Sequence, residues 1–567
     1  MPLFRVGESC VKFREVARKE PSTDVVNASA VFPELSQFGW PDRGSAAERS
    51  SLLLQARRFK IAPRPTGLEE ACKALLKQYP RSTVLSCFRG EKWDWETIIA
   101  AAAKKTLSSE INLTASPGVP CAALGSTNDA VLSRHRNFVV AAVVERLYLL
   151  MNANLKEMSK MSPVELVAAG FCDPVRLFVK QEPHPVKKLA EGRYRLISSV
   201  SLVDQLVERM LFGPQNTLEI DQWYKIPSKP GMGLSSRDQQ RMIWQDVKRK
   251  HHLHPAAEAD ISGFDWTVQE WELWSDVEIR IALAGVGRLP VSNCMRARFY
   301  CFMNSVFQTS SGELIAQGYP GIMKSGSYCT SSTNSRVRCL MAELIGAPWC
   351  IAMGDDSVEG FVPGAKEKYL KLGHTCKDYV ACKTYASGEL EKFNFCSHEI
   401  TSHSCWLTSW PKTLFRFLSS DGSSKVELEM ELRSSPVWNK IHNYLSKADQ
   451  SLSSITSVFP PSRTKRKAED LVDLTHGCEN DQGSATGGSG CHEEERDPAS
   501  SSRSGPDDAP RSQDPSSEAK SEEEPWECNC YSGGPLCRIC YVRSVNSTNN
   551  WWEGLFDTDD VGKGFYY

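Results

Sequence analysis

Long apolar runs are missing from this sequence. Its most apolar stretch, NFVVAAVVERLYLLM, is broken by Glu145 and Arg146, so it reads as a buried helix and no integral membrane segment is expected. An apolar core is also missing from the start, MPLFRVGESCVKFREVARKE, where charge is spread throughout. No secretory signal is expected there, and the twenty cysteines are then expected as reduced thiols or metal ligands in a cytosol-like compartment. Net charge is nearly absent, at −2; this decides nothing about partners, because basic patches can hide in a neutral total. Internal repeats are absent too, which excludes solenoids and propellers. What remains is a 567-residue chain, 41% hydrophobic and 24% charged, with the make-up of a soluble globular protein of several subdomains.

Large apolar side chains nearly vanish from residues 477–525, GCENDQGSATGGSGCHEEERDPASSSRSGPDDAPRSQDPSSEAKSEEEP. Such a stretch cannot bury enough surface to offset its ordering entropy, so a disordered linker is expected over 460–527. Its leading edge carries RTKRK at 463–467, a basic cluster suited to holding RNA or to solubilising the linker. A cysteine-rich tail, 528–567, follows. There Cys528, Cys530, Cys537 and Cys540 are spaced C-x-C-x6-C-x2-C around Gly533-Gly534. That spacing suits a small structural zinc knuckle, with free thiols as the alternative.

Before the linker, apolar periodicity is strong. DAVLSRHRNFVVAAVVERLYLLMNANL and SLVDQLVERMLFGP predict helices, the second stopping at Gly213-Pro214. APWCIAMGDDSVEG places Asp355 and Asp356 side by side between two short apolar runs, which predicts a β-hairpin with the acids at its turn. The mixture points to an α+β fold rather than an alternating βαβ sheet.

Adjacent carboxylates repel unless a cation joins them. Upstream, EADISGFDWTVQEWE supplies Asp260 at a predicted strand end and Asp265 five positions later. Hard oxygen ligands from two strands suit Mg²⁺ (or Mn²⁺), and two such ions suit an in-line displacement at phosphorus. Between the acids lies GYPGIMKSGSYCTSSTNSRVRCLMAEL, with Ser325 and Gly326 in a turn and Thr330 and Asn334 four apart on one helical face. Asp265, Ser325 and Asn334 can each hydrogen-bond a ribose hydroxyl, and the 2′-OH is what separates RNA from DNA. Taken singly these signals are weak, since an acidic turn is most often a solvated loop and a polar helix face an ordinary surface. Their order along one chain is specific.

D-x4-D, S-G-x3-T-x3-N and G-D-D in that order resemble motifs A, B and C of viral RNA-dependent RNA polymerases. FPELSQFGWPDRGSAAERSSLLLQA and DISGFDWTVQEWE are similar to the replicases of plant sobemoviruses and their polerovirus-like relatives, over roughly residues 30–450. The resemblance implies a right hand. Residues 1–60 would be an N-terminal fingertip segment, 61–250 fingers with motifs G and F, and 251–412 a palm with motifs A to E and a fingers insertion near 282–318. Residues 413–459 would be a small thumb. It also implies roles. Ser116, Pro117 and Gly118 in LTASPGVP match the loop that guides template and primer. In LFVKQEPHPVKKLAEGRYRLIS, Lys180, Arg193 and Arg195 would hold the triphosphate, Lys180 and Arg195 matching best, while Lys187, Lys188 and Arg193 also fit a solvated surface run. Asp260, Asp355 and Asp356 would hold two Mg²⁺ or Mn²⁺, and Asp265, Ser325, Gly326, Thr330 and Asn334 the nucleotide sugar. Lys377 would protonate departing pyrophosphate, with Lys371 and His374 as rivals. Cys396 and Lys412 would grip the primer.

The segment CSHEITSHSC also allows a zinc site from Cys396, His398, His403 and Cys405. At the level of function, RNA-directed RNA synthesis leads, ahead of a reverse transcriptase and of a non-catalytic RNA-binding scaffold. The implied partners are RNA template and product, NTPs, a genome-linked protein primer (unprimed initiation being the alternative) and other viral replication proteins. The implied location is the host cytoplasm, at membrane-associated complexes reached through partners.

Overall fold

The two apolar runs around the adjacent acids form the predicted hairpin, Cys350–Met353 and Asp356–Gly360, joined by the turn Gly354-Asp355. This is seen in a computed structural model that describes residues 1–420 and 425–447. The expected linker, the RTKRK cluster and the four tail cysteines lie outside the described residues.

The hairpin belongs to a four-stranded antiparallel sheet ordered Cys376–Ala381, Ala256–Ile261, Asp356–Gly360, Cys350–Met353. Helix Thr330–Ile345 packs against this sheet, so the predicted sugar-facing helix and the acids share one support. A second sheet has five strands, in the order Leu3–Glu8, Glu313–Gln317, Val306–Gln308, Val175–Val179 and Leu196–Ser199. It joins the chain's first strand to the segment expected as an insertion, through pairs such as Leu3 with Gln317. A third sheet, Lys383–Thr384, Leu390–Phe395, His398–Thr401 and Cys405–Leu407, leads into helix Trp410–Leu418.

Helix Asn128–Met151 forms as its periodicity predicts, with the Thr127 hydroxyl accepting from Ala130 N–H as its N-cap. It packs with helices Leu202–Asp221, Glu270–Ala284 and Pro290–Met303 around the largest apolar core. The expected stop at Gly213-Pro214 is not observed: helix Leu202–Asp221 runs through Pro214. A proline there removes one backbone hydrogen bond, but the residues after it are anchored from outside the helix. Gln215 and Asn216 accept from the Arg280 guanidinium at 3.3 and 3.0 Å, and Glu219 accepts from Arg336. Tertiary partners outweigh the local break.

A smaller core joins the two ends of the described chain. Val25, Phe32, Leu35 and Trp40 pack with Leu414, Phe415, Leu432 and Ile441, and Ser22 Oγ donates to Leu418 O at 2.8 Å. Among the described residues, no helix is long and apolar enough to cross a membrane.

Candidate active site

Gly354 and Asp355 make a two-residue turn, with Gly354 at φ +64°. A Cβ on Gly354 would meet nothing within 4 Å, so the backbone angle and not crowding calls for glycine. Its N–H donates to Ser335 Oγ at 2.9 Å, which ties the turn to helix Thr330–Ile345. The ladder to the neighbouring strand runs out at Ser357 and Ala259, which leaves Asp356 and Asp260 as the next residues beyond it. Water reaches all three acids, yet the walls around the hairpin strip part of their hydration. Burial, then Asp355 and Asp260, push Asp356 up to about 7. Asp355 is raised as well, by burial and Asp260, against the pull of Arg195.

Asp260 is engaged from the neighbouring strand. Lys377 Nζ lies 3.2 Å from Asp260 Oδ2 and 2.8 Å from Asp378 Oδ2, and these bonds, Asp378 first, raise the lysine's pKa. Of its rivals, His374 is fully buried between Glu272 Oε1 at 2.8 Å and Thr267 Oγ1 at 3.0 Å, stacked on Phe264. It is a strut. Lys371 ends helix Ala365–Lys371, exposed.

Asp265 sits in the short turn Phe264–Trp266 and accepts from Asn334 Nδ2 at 2.8 Å. Burial and Asp355 push its carboxyl up to about 6, against that hydrogen bond and Arg195. Among the described residues Asn334 Oδ1 is buried with no partner, and a buried acceptor costs free energy until a donor reaches it. Thr330 acts differently: its hydroxyl donates to Lys324 O and Ser327 O at 2.9 and 2.8 Å, fastening its own loop. Ser325 Oγ accepts from Ser198 N–H at 3.1 Å, and Gly326 N–H donates to Ser198 O at 3.1 Å. A Cβ on Gly326 would stand 2.6 Å from that same oxygen, so only glycine fits.

Strand Leu196–Ser199, which holds this loop, begins next to Arg195. Arg195 Nη1 lies 2.8 Å from Glu182 Oε1, Lys180 Nζ 3.3 Å from Glu182 Oε2, and Lys412 Nζ 3.0 Å from Glu182 Oε1. Arg193 instead pairs locally with Glu191 at 2.6 Å, and Lys187 and Lys188 lie on the short helix Val186–Ala190. Burial lowers the pKa of Lys188, followed by the like charges of Arg195, Arg193 and Arg58.

With this geometry in view, comparison with known proteins becomes informative. A family model described as viral RNA-directed RNA-polymerase matches residues 22–420. The chain belongs to this family. It is 60% identical over 445 residues to the replicase polyprotein P2AB of Southern bean mosaic virus, covering 78% of this chain and 46% of that protein. To the replicase polyprotein P2AB of cocksfoot mottle virus it is 55% identical over 446 residues, 78% of this chain and 47% of that protein. Protein P1-P2 of potato leafroll virus is 38% identical over 402 residues, 65% of this chain and 36% of that protein. The chain thus spans about half the length of the P2AB relatives that it matches. Membership implies a right-hand polymerase fold.

The expected template loop is held on the five-stranded sheet's side. Arg176 Nη1 donates to Ser116 Oγ at 3.1 Å, Pro117 O accepts from Leu202 N–H at 2.8 Å, and Gly118 turns at φ +66°. Cys396 and Ser397 form the turn between Leu390–Phe395 and His398–Thr401 with φ +50° and +59°. Both are left-handed without being glycine, at a cost of about 1–3 kcal/mol each. Burial and then the charges of Asp356 and Asp355 raise the Cys396 thiol.

The zinc set suggested for this hairpin is not assembled. Among the described residues no three His, Cys, Asp or Glu side chains converge as metal ligands. His398 Nδ1 is committed to Cys396 O at 2.7 Å, Cys405 pairs with Ile400 across the sheet, and His403 stands in the exposed loop. Nor do the three acids close into one cluster, Asp260 being held by Lys377.

Sequence reasoning missed Arg58, Glu182 and His184. Arg58 Nη1 donates to Ser262 Oγ at 3.2 Å, in the turn between Asp260 and Asp265. The helix just before it, Ser45–Ala56, is tied to the basic segment ahead of strand Leu196–Ser199 by Ser51 Oγ donating to Tyr194 O at 2.8 Å. Nothing local in RRFK announces this. Glu182 and His184 stood in plain sight among the cations, but only their neutralising contacts reveal them.

Proposed function

We propose that this chain is the polymerase part of a replicase that copies and transcribes a positive-strand RNA genome. The four-stranded sheet with its hairpin is read as the palm and the five-stranded sheet as part of the fingers. The helices after Cys405–Leu407 are read as a small thumb. The observation that carries the reading is Asn334: a buried amide that spans to Asp265, itself under the influence of Asp355, and whose oxygen has no partner among the described residues.

Asp260, Asp355 and Asp356 are acceptor-only hard oxygens, and burial and then the charges of Asp355 and Asp260 raise Asp356, so the chemistry of the donor set suits divalent cations once Asp260 leaves Lys377. Bound there, two Mg²⁺ or Mn²⁺ would activate the attacking hydroxyl and stabilise the leaving oxygen. The chain's own residues do the rest. Asn334 and Asp265 orient the ribose through its hydroxyls, on the loop that Ser325, Gly326 and Thr330 hold in shape. Lys180 and Arg195, with Arg193 and Arg58 behind them, hold the triphosphate charge. Lys377 stands beside Asp260 as the proton donor to departing pyrophosphate. Ser116, Pro117 and Gly118 guide the template strand, and Cys396 and Lys412 flank the primer end.

The helical segment after Trp410, short among the described residues, is read as a small thumb over an open channel, which goes with a genome-linked protein as primer. The host cytoplasm, at membrane-associated replication complexes reached through other viral replication proteins, is the location we propose.

The test is extension on an RNA template with NTPs or dNTPs, with and without Mg²⁺ or Mn²⁺. Ribonucleotide addition that needs the divalent ion is expected, and Asp355→Ala should abolish it while RNA binding persists. Preferred dNTP use would point to a reverse transcriptase. RNA binding with no synthesis by the unaltered chain would point to a scaffold.

A further inference from the structure

Glu182 is a carboxylate shared by Lys180 and Arg195, assigned to the triphosphate, and by Lys412, and these three partners come from separate elements. Lys180 lies on the loop after strand Val175–Val179, Arg195 before strand Leu196–Ser199, and Lys412 on helix Trp410–Leu418. The backbone beneath them is fixed. His184 Nδ1 donates to Glu182 O at 2.7 Å, and Nε2 of the same ring accepts from Arg195 N–H at 2.9 Å. Lys180 N–H also donates to Arg195 O at 2.8 Å. The His184 ring is 1% exposed, and burial pushes its pKa down to about 4, so it stays a neutral clamp. The main chains of Glu182 and Arg195 therefore cannot separate, whereas the Arg195 side chain, 55% exposed, is free to change partner. The charge of Arg195 also lowers the pKa of both Asp265 and Asp355, against their burial.

We propose that Glu182 is a built-in counter-anion of the triphosphate site. It holds Lys180, Arg195 and Lys412 in place before nucleotide arrives and then competes with triphosphate and pyrophosphate for the same cations. This assignment rests on the polymerase reading for the nature of its ligand. Burial alone would raise the Glu182 carboxyl, but Arg195, Lys412 and Lys180 together hold it at about 2, so it is ionised whenever the enzyme works. An anion fixed beside an anion site weakens binding of both substrate and product, and so favours release of the product after each addition. Glu182 acts through its cations. It is a positioning residue.

The sign of the effect separates this role from a merely structural one. Glu182→Gln keeps the shape and removes the charge. The KM for NTP should fall about three- to tenfold, inhibition by inorganic pyrophosphate should tighten by a similar factor, and kcat should drop as release slows. Glu182→Asp, which keeps the charge, should return KM towards the unaltered value. If the glutamine variant does not fold, Glu182→Ser removes the same charge with less bulk. Calorimetric titration of the full chain with inorganic pyrophosphate gives a readout independent of synthesis. Tighter binding by a charge-removing variant supports the inference, and unchanged or weaker binding, with KM unchanged or raised, overturns it. If the unaltered chain adds no nucleotide yet the variant binds pyrophosphate more tightly, the polymerase reading fails and the counter-anion stands.

Discussion

Asn334 Nδ2 donates to Asp265 Oδ1 across 2.8 Å, while the other end of the same amide is buried with no donor among the described residues. One polar side chain thus holds a neighbour in place and presents an acceptor to something else. If that something is a ribose hydroxyl, Asn334→Ala should lose discrimination against 2′-deoxynucleotides. An unpaired buried acceptor costs about 1–3 kcal/mol, so the ratio of kcat/KM for NTP over dNTP should fall roughly 10- to 100-fold. An unchanged ratio would remove Asn334 from sugar recognition.

The acids set a pH dependence of stability. Asp356 is raised to about 7 and Asp265 to about 6, so in this range the folded chain holds protons that the unfolded chain has released. Without divalent ions their contribution is fully present below about pH 4 and is lost as pH rises through 6 and 7. Mg²⁺ should therefore raise Tm more at about pH 8 than at about pH 5. Asp356→Asn should flatten the metal-free curve. Thermal melts across pH with and without Mg²⁺ decide it, and a Mg²⁺ effect that grows as pH falls would reverse the sign.

Lys377 should matter to the chemical step. Lys377→Ala is expected to lower kcat by roughly 100-fold with KM for NTP within a few-fold, and to remove a high-pH limb from the rate profile. Lys371→Ala provides the comparison, with a smaller loss. Single-turnover incorporation across pH is the measurement.

Gly326 is fixed by space. A methyl group there would stand 2.6 Å from Ser198 O, so Gly326→Ala must push the sugar-side loop off strand Leu196–Ser199. A cost of about 1–3 kcal/mol in stability is expected, with a raised KM for NTP. Denaturant unfolding and steady-state kinetics on the same preparation would show both, and wild-type values in both would mean that the loop yields freely.

What was legible in the sequence was what short range decides. The hairpin, the strand bearing Asp260 and the spacing of Thr330 and Asn334 follow from alternation, a glycine turn and helical period. Pro214 misled because a local rule was overruled by Arg280 and Arg336, which hold the next turn from outside. Arg58, Glu182 and His184 could not be ranked in advance, since their meaning lies in contacts made across the fold. Lys412 was noticed for the primer, yet it stands on Glu182, among the phosphate cations. Thr330 shares Asn334's face but spends its hydroxyl on its own loop.

Strand Leu3–Glu8 has a consequence in time. Its only ladder partner among the described residues, Glu313–Gln317, is made about 300 residues later. At roughly 5–20 residues per second the ribosome takes roughly 15–60 s to deliver it. For that interval strand Leu3–Glu8 has no ladder partner, and the five-stranded sheet waits with an open edge. A strand made long before its partner is thus among the later pieces of its sheet to settle, a closing stitch whose loss would leave a sticky margin.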